Sequence, residues 1–181
     1  MRVINGHAVL EGDGDRAWGF RAKIVGEDIV LEGPDGESTV TVTYFGGTEA
    51  QDPGDNGETE CGPRTRNRDG SEAHIDGCSL PVNLHAGSGT VGSPIAFDPP
   101  LPCGILVQFY NPRNGVVLIV DRIDNGPAKT GHAADLTRKS SAYLNDGEPD
   151  SMQLEVKILG GAKHLPASIR AEMSAAGLSV C

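Results

Sequence analysis

Aromatic side chains are scarce in this chain: Phe, Trp and Tyr make up 4% of its 181 residues. That scarcity weighs against a carbohydrate groove paved with rings. Long apolar runs are also missing, since none approaches the ~20 residues of a membrane-spanning helix. The opening residues, Met1 to His7, have no basic segment followed by an apolar stretch of ~7–15 residues, so no Sec-type signal is read there. Basic residues are outnumbered, 15 Lys and Arg against 25 Asp and Glu, for a net charge of −10. Such a surface disfavours nonspecific binding to nucleic acid.

What is plentiful is Gly (25) and Pro (12), against 38% apolar and 22% charged residues. That balance points to short strands joined by many turns rather than to a helical bundle. The length fits about one domain.

Four cysteines, Cys61, Cys78, Cys103 and Cys181, permit three pairings, and sequence alone selects none. Cys61 and Cys78 bracket a polar stretch with little means of ordering itself, so a Cys61–Cys78 disulfide is the expected staple in an oxidising compartment. A zinc site built from Cys61, Cys78 and His74 or His85 is the competing reading, and the absence of a Cys-x-x-Cys pair counts against it. Cys181 reads as a free terminal thiol. No cofactor is implied.

Residues 1–38 alternate in short apolar runs separated by Gly-rich turns and predict a small β extension of two or three strands, in which Trp18 packs. Residues 39–45 are β-branched and aromatic, a clear strand. From 46 to 92 the chain is dominated by Gly, acids, Asn, Arg and Ser; a connection this long is usually functional or cross-linked. It carries the basic trio Arg64, Arg66 and Arg68, a candidate patch for an anionic partner. Residues 104–110 and 116–120 predict a hairpin around an Asn-Gly turn. Residues 136–144 predict a short helix with Thr137 as N-cap, and 152–159 alternate as a closing strand. After Pro166, Ile169, Met173 and Ala176 form the apolar face of a last helix within a 161–181 tail, either a packing element or a docking tail.

Four motifs occur in order: Leu101-Pro102-Cys103-Gly104, Asn111-x-Arg113-Asn114-Gly115, Asp124-x-Gly126-Pro127 and Asp135-Leu136-Thr137. Together with Thr43-Tyr44-Phe45-Gly46, this series resembles the double-psi β-barrel of the rare lipoprotein A and expansin families. The resemblance spans roughly residues 39–160. It implies a mainly β fold: a six-stranded double-psi barrel with one short helix, a small N-terminal β extension and a C-terminal helical tail. It also implies a polysaccharide groove, with peptidoglycan cleaved by lytic transglycosylation in bacterial relatives and wall glycan loosened without hydrolysis in expansin-like ones. Asp135 and Asp124 match the functional aspartates, and Thr43, Tyr44, Asp98 and His132 fall at substrate-binding positions. The chain departs from the pattern where Asp98 stands in place of a His and Asn125 in place of an Arg. The loop that supplies a second acid in relatives is here the expanded 46–92 stretch, leaving Glu49 and Asp52 as guesses.

Independently of the resemblance, each aspartate sits at the edge of an element, where a side chain can face a groove from a fixed backbone. Two carboxylates in one groove can be driven apart in pKa, leaving one as an acid near neutral pH. The bland readings are that Asp124 organises a turn and that Asp135 caps a helix. With the substrate class that the resemblance implies, the functional expectation is a wall-glycan enzyme, extracellular or carried on a phage particle or injection machine. Its competitor is a noncatalytic glycan binder or a structural virion component that assembles through the N-terminal extension or the C-terminal helix.

Overall fold

The computed structural model describes residues 1–10, 19–80, 101–126 and 131–178. Trp18, His85, Asp98, Pro127 and Cys181 lie outside them. Alternation decides where the strands form. The strand Met152–Ile158 buries every second residue, Met152, Leu154, Val156 and Ile158, and leaves Gln153 and Glu155 in solvent. Burying each such side chain contributes about 1.5–3 kcal/mol.

Among the described residues there are ten strands: β1 (Arg2–Ile4), β2 (His7–Leu10), β3 (Arg21–Val25), β4 (Asp28–Glu32), β5 (Val40–Phe45), β6 (Cys78–Leu80), β7 (Leu106–Asn111), β8 (Val116–Asn125), β9 (Ala134–Thr137) and β10 (Met152–Ile158). Around the barrel the order is β10-β5-β9-β6-β8-β7, and β7 pairs back to β10, so six strands close on themselves. The β5–β9 and β6–β8 pairs are parallel and the rest antiparallel. This crossed order fits the double-psi barrel implied by the motifs. The interior is filled by Val40, Val42, Leu80, Val107, Phe109, Leu136 and Leu154 among others.

The N-terminal extension is a four-stranded meander rather than two or three strands. It joins the barrel through β10, whose first half pairs with β5 and whose second half pairs with β4 along one edge. The short helix α1 (Arg138–Leu144) is capped by Thr137, whose side chain accepts from the Ser140 N–H. At its other end the Leu144 carbonyl accepts from the side-chain amides of both Asn111 and Asn114, each at 2.9 Å, which come from the β7–β8 turn. The tail forms a 3₁₀ turn (Gly161–His164) and α2 (Ala167–Ala175). Met173 is buried, and Ile169 and Leu178 pack on the same core, so this tail is a packing element. Among the described residues no helix is long and apolar enough to cross a membrane.

Both readings of the cysteines fail. The disulfide joins Cys61 to Cys103, with Cα atoms 5.6 Å apart, not Cys61 to Cys78. Cys78 is instead a free thiol, fully buried in β6, where its side chain belongs to the barrel core and burial pushes its pKa far up. With Cys61 bonded and Cys78 buried, the zinc reading falls too, and no cluster of three metal-ligating side chains occurs among the described residues.

The basic trio does not form an anion patch. Arg66 is buried and organises the loop: its Nε donates to the Gly47 carbonyl at 2.7 Å, Nη1 to Glu49 at 2.7 Å and Nη2 to the Asp52 carbonyl at 3.1 Å. Arg64 pairs with Glu58 at 2.9 Å. The loop is pressed onto the barrel where Gly46 (φ +83°) meets Thr65: a Cβ at residue 46 would stand 2.6 Å from the Thr65 Cβ.

Two measurements check this arrangement. A non-reducing peptide map should join the Cys61 and Cys103 peptides. Opening that link, which spans 42 residues, should cost up to about 4 kcal/mol on the chain-entropy account. Arg66→Met, which removes a buried donor of three hydrogen bonds, should lower stability by about 2–4 kcal/mol in denaturant unfolding and speed proteolysis within 46–77.

Candidate functional site

Strand register builds the site. Val42 and Ala134 point into the core, so by alternation their neighbours Thr43 and Asp135 point to the outer face. Thr43 on β5 stands opposite Asp135 on β9, Asp135 opposite Ser79 on β6, and Ser79 opposite Asp124 on β8. Four neighbouring strands thus carry one row of polar side chains, Thr43–Asp135–Ser79–Asp124. The two aspartates are two strand spacings apart, about 10 Å between Cα atoms. Ser79 between them is 2% exposed, so the middle of the row is covered while both ends reach the surface.

The Thr43 hydroxyl donates to Asp135 Oδ1, and Thr43 Oγ1 also lies 3.4 Å from His132 Nδ1. Burial is the largest influence on the Asp135 carboxyl and raises its pKa above the ordinary value of 3.8. The Thr43 hydrogen bond and the charge of His132 oppose the rise, while the carboxylates of Asp52 and Asp124 add to it. Desolvation wins, so Asp135 holds its proton to higher pH than a free aspartate does.

Asp124 is held differently. Its Oδ1 accepts backbone N–H groups from Glu60 at 2.9 Å and Asn125 at 2.8 Å, which fixes the carboxylate. Glu60 belongs to the long polar loop, so that loop completes one end of the row. Gly126 keeps the front of the pair open. Its φ of +137° favours glycine, and a Cβ there would sit 3.5 Å from Ser79 Oγ and 4.0 Å from Asp135 Oδ2.

Beside Asp135 lies an open cavity of about 350 Å³, lined by Thr43, Tyr44, Asp52, His132, Gln51 and Ser151 among others. Asp52 is fixed there by the Gly46 N–H, which donates to its Oδ2 at 2.7 Å. Tyr44 is exposed, and the Arg138 guanidinium lies over its ring, 5.3 Å from the centroid. The floor of the opposite end is Arg122, buried among polar partners: Nη2 donates to Asn125 Oδ1, and Nη1 lies 3.7 Å from both disulfide sulfurs.

Of the residues singled out from sequence, Thr43, Tyr44 and His132 line the cavity, Asp135 is joined to it through the Thr43 hydroxyl, and Asp124 lies further along the same row. Asp98 is outside the described residues. Of the two guesses for a second acid, Asp52 reaches the site and Glu49 is spent on Arg66. Sequence reading missed Ser79, the Glu60 N–H and Arg122. Ser79 had no signal, being one serine in a polar stretch. Arg122 had one: it is the single cation in β8, set just after a run of five apolar residues and Asp121.

No protein-family model matches the chain, and no curated protein matches it. Among solved structures, Streptomyces papain inhibitor aligns over 65% of this chain and 91% of its own, at 20% identity and a TM-score of 0.35. A likeness this distant carries no argument about function, and the barrel rests on its own hydrogen-bond register.

The raised pKa of Asp135 sets a pH dependence. Between the ordinary carboxylate value and the raised one, the folded state binds more protons than the unfolded chain, so stability falls as pH rises through that window. Asp135→Asn should flatten this slope, leaving the variant more stable than the wild type at pH 7 and without that advantage below pH 3.8. Urea unfolding across pH 3–8 measures it. Equal slopes for the two proteins would mean that the carboxyl is not desolvated.

Proposed function

We propose that this protein acts on cell-wall glycan, with peptidoglycan foremost, as a lytic transglycosylase in which Asp135 is the general acid. The observation that carries the reading is a desolvated carboxyl with a raised pKa, set in one row with a second carboxylate on the open face of the barrel. The resemblance of the motifs to the rare lipoprotein A and expansin families supplies the substrate class.

The chemistry requires a proton at the glycosidic oxygen as the C1–O bond breaks. Asp135 supplies it, a contribution of ~10²–10⁴-fold. The sugar's own 6-hydroxyl attacks C1 and closes an anhydro ring, and its proton passes to a carboxylate base, the role assigned to Asp124. Thr43 and His132 orient Asp135, and Asp52 adds negative charge that keeps the acid protonated. The exposed ring of Tyr44 offers a stacking face for a sugar.

Digestion of purified peptidoglycan with wild type and with Asp135→Asn, followed by mass spectrometry of the soluble products, tests the proposal. Anhydro-sugar ends should appear with wild type and fall at least ~100-fold with the variant, while binding to sacculi persists. Ordinary reducing ends would assign hydrolysis instead. Sacculus binding without any release across pH ~4–8 would make the protein a noncatalytic glycan binder. Neither cutting nor binding, together with assembly into rings or onto a particle, would make the barrel a structural virion or injection-machine component.

A further inference from the structure

We propose that the Cys61–Cys103 disulfide is a redox latch on the Asp124 end of the row, and that reducing it releases the backbone donor that holds the Asp124 carboxylate. What the groove does when latched rests on the proposed glycan reading; the latch itself rests on geometry.

Cys61 directly follows Glu60, whose N–H donates to Asp124 Oδ1, and its own N–H donates to the Ile123 carbonyl at 2.9 Å. Two hydrogen bonds therefore lay residues 60 and 61 along the end of β8. Little else keeps them there. Residues 59–63 are exposed or half-buried, and their further hydrogen bonds are local, from the Thr59 hydroxyl to the Pro63 carbonyl and from the Gly62 N–H to the Thr59 carbonyl, apart from the long 3.7 Å contact of Arg122 Nη1 with Cys61 Sγ. The covalent tie to Cys103, 42 residues away, is the long-range restraint.

Arg122 makes the bond responsive. The residue is 2% exposed, and its guanidinium lies against both sulfurs and has an Nε with no hydrogen-bond partner. A neutral disulfide is a poor acceptor for a buried cation, whereas a thiolate there would pair with it. A cation beside a sulfur stabilises the thiolate, and a stabilised thiolate leaves faster in exchange. Cys103 is exposed, so its sulfur is the one an incoming thiolate reaches.

The reductant is a dithiol. One thiolate attacks Cys103 Sγ, forming a mixed disulfide and expelling the Cys61 thiolate toward Arg122. The second thiol of the reductant then displaces Cys103 and closes the reductant's own disulfide. Two electrons pass to the protein: Cys103 takes up one proton and ends as a thiol, and Cys61 ends as a thiolate against Arg122, the second proton of the dithiol going to solvent.

Amide hydrogen exchange of the full chain before and after dithiothreitol reduction tests this, with alkylation and mass mapping to confirm that Cys61 and Cys103 have opened. The Glu60 and Cys61 amides should exchange at least ~10-fold faster in the reduced protein under conditions where β10 stays folded, as local openings that do not need the global unfolding the β10 amides report. Cys103→Ser should reproduce that release without reductant. Arg122→Met should slow reduction ~10-fold at the same dithiothreitol concentration. Unchanged exchange at Glu60 after complete reduction, or in Cys103→Ser, overturns the latch whatever the sacculus assay gives. Release of Glu60 in a protein whose oxidised form leaves peptidoglycan intact supports the latch and removes the glycan reading. If the oxidised form cuts, Cys103→Ser should lose at least ~10-fold in turnover with Asp135 untouched.

Discussion

Three residues close this barrel. Cys78, Ser79 and Leu80 fill the gap between β8 and β9, parallel to one and antiparallel to the other, and all three are buried. Without them those two strands would face each other across an unpaired edge, and buried backbone groups without partners are costly. The same three residues set the geometry of the candidate site, because Ser79 is in register with both aspartates. A register shift between Cys78 and Ser79 on the β8 side brings Ser79 opposite Asp124 rather than Ile123. The closure of the core and the alignment of the polar row are therefore one constraint.

The site works against the stability of the fold it stands on. A carboxyl desolvated beside two other carboxylates, and a buried guanidinium with an unpaired nitrogen, each oppose folding. The structure offsets them with order elsewhere: the Arg66 hydrogen bonds inside the long loop, the disulfide, and a β10 strand bonded along both edges. Local conflict amid general consistency is the pattern expected where a fold carries chemistry.

Strands with alternating side chains were legible in sequence, and β5, β7, β8 and β10 lie within a few residues of where the pattern puts them. The α1 helix was legible through its Thr137 cap. The β6 strand was not, because three residues are too few to show a period and they end a stretch that reads as solvated loop. The partner of Cys61 was not either, since a disulfide depends on where the chain brings two Cα atoms and leaves no local mark. Arg66 was misread for a related reason: a charged side chain in a polar loop looks exposed until the loop is seen to fold around it. Asp124 and Asp135 were found from their turn and helix-edge motifs, but the residue that aligns them lies in the strand the pattern could not show.

The α1 helix has seven residues, fewer than two turns, and an isolated helix of that length does not hold together in water. Its last-turn carbonyl at Leu144 is satisfied by two asparagines that come together only when the β7–β8 hairpin has turned. Its first turn is fastened by Asp76, which binds Lys139 at 2.6 Å and accepts from the Ser140 hydroxyl at 3.3 Å. The helix therefore depends on the hairpin and on Asp76 for its ends, clamped between pieces of chain distant in sequence. A helix legible from its own residues is thus one of the parts of this molecule least able to stand alone.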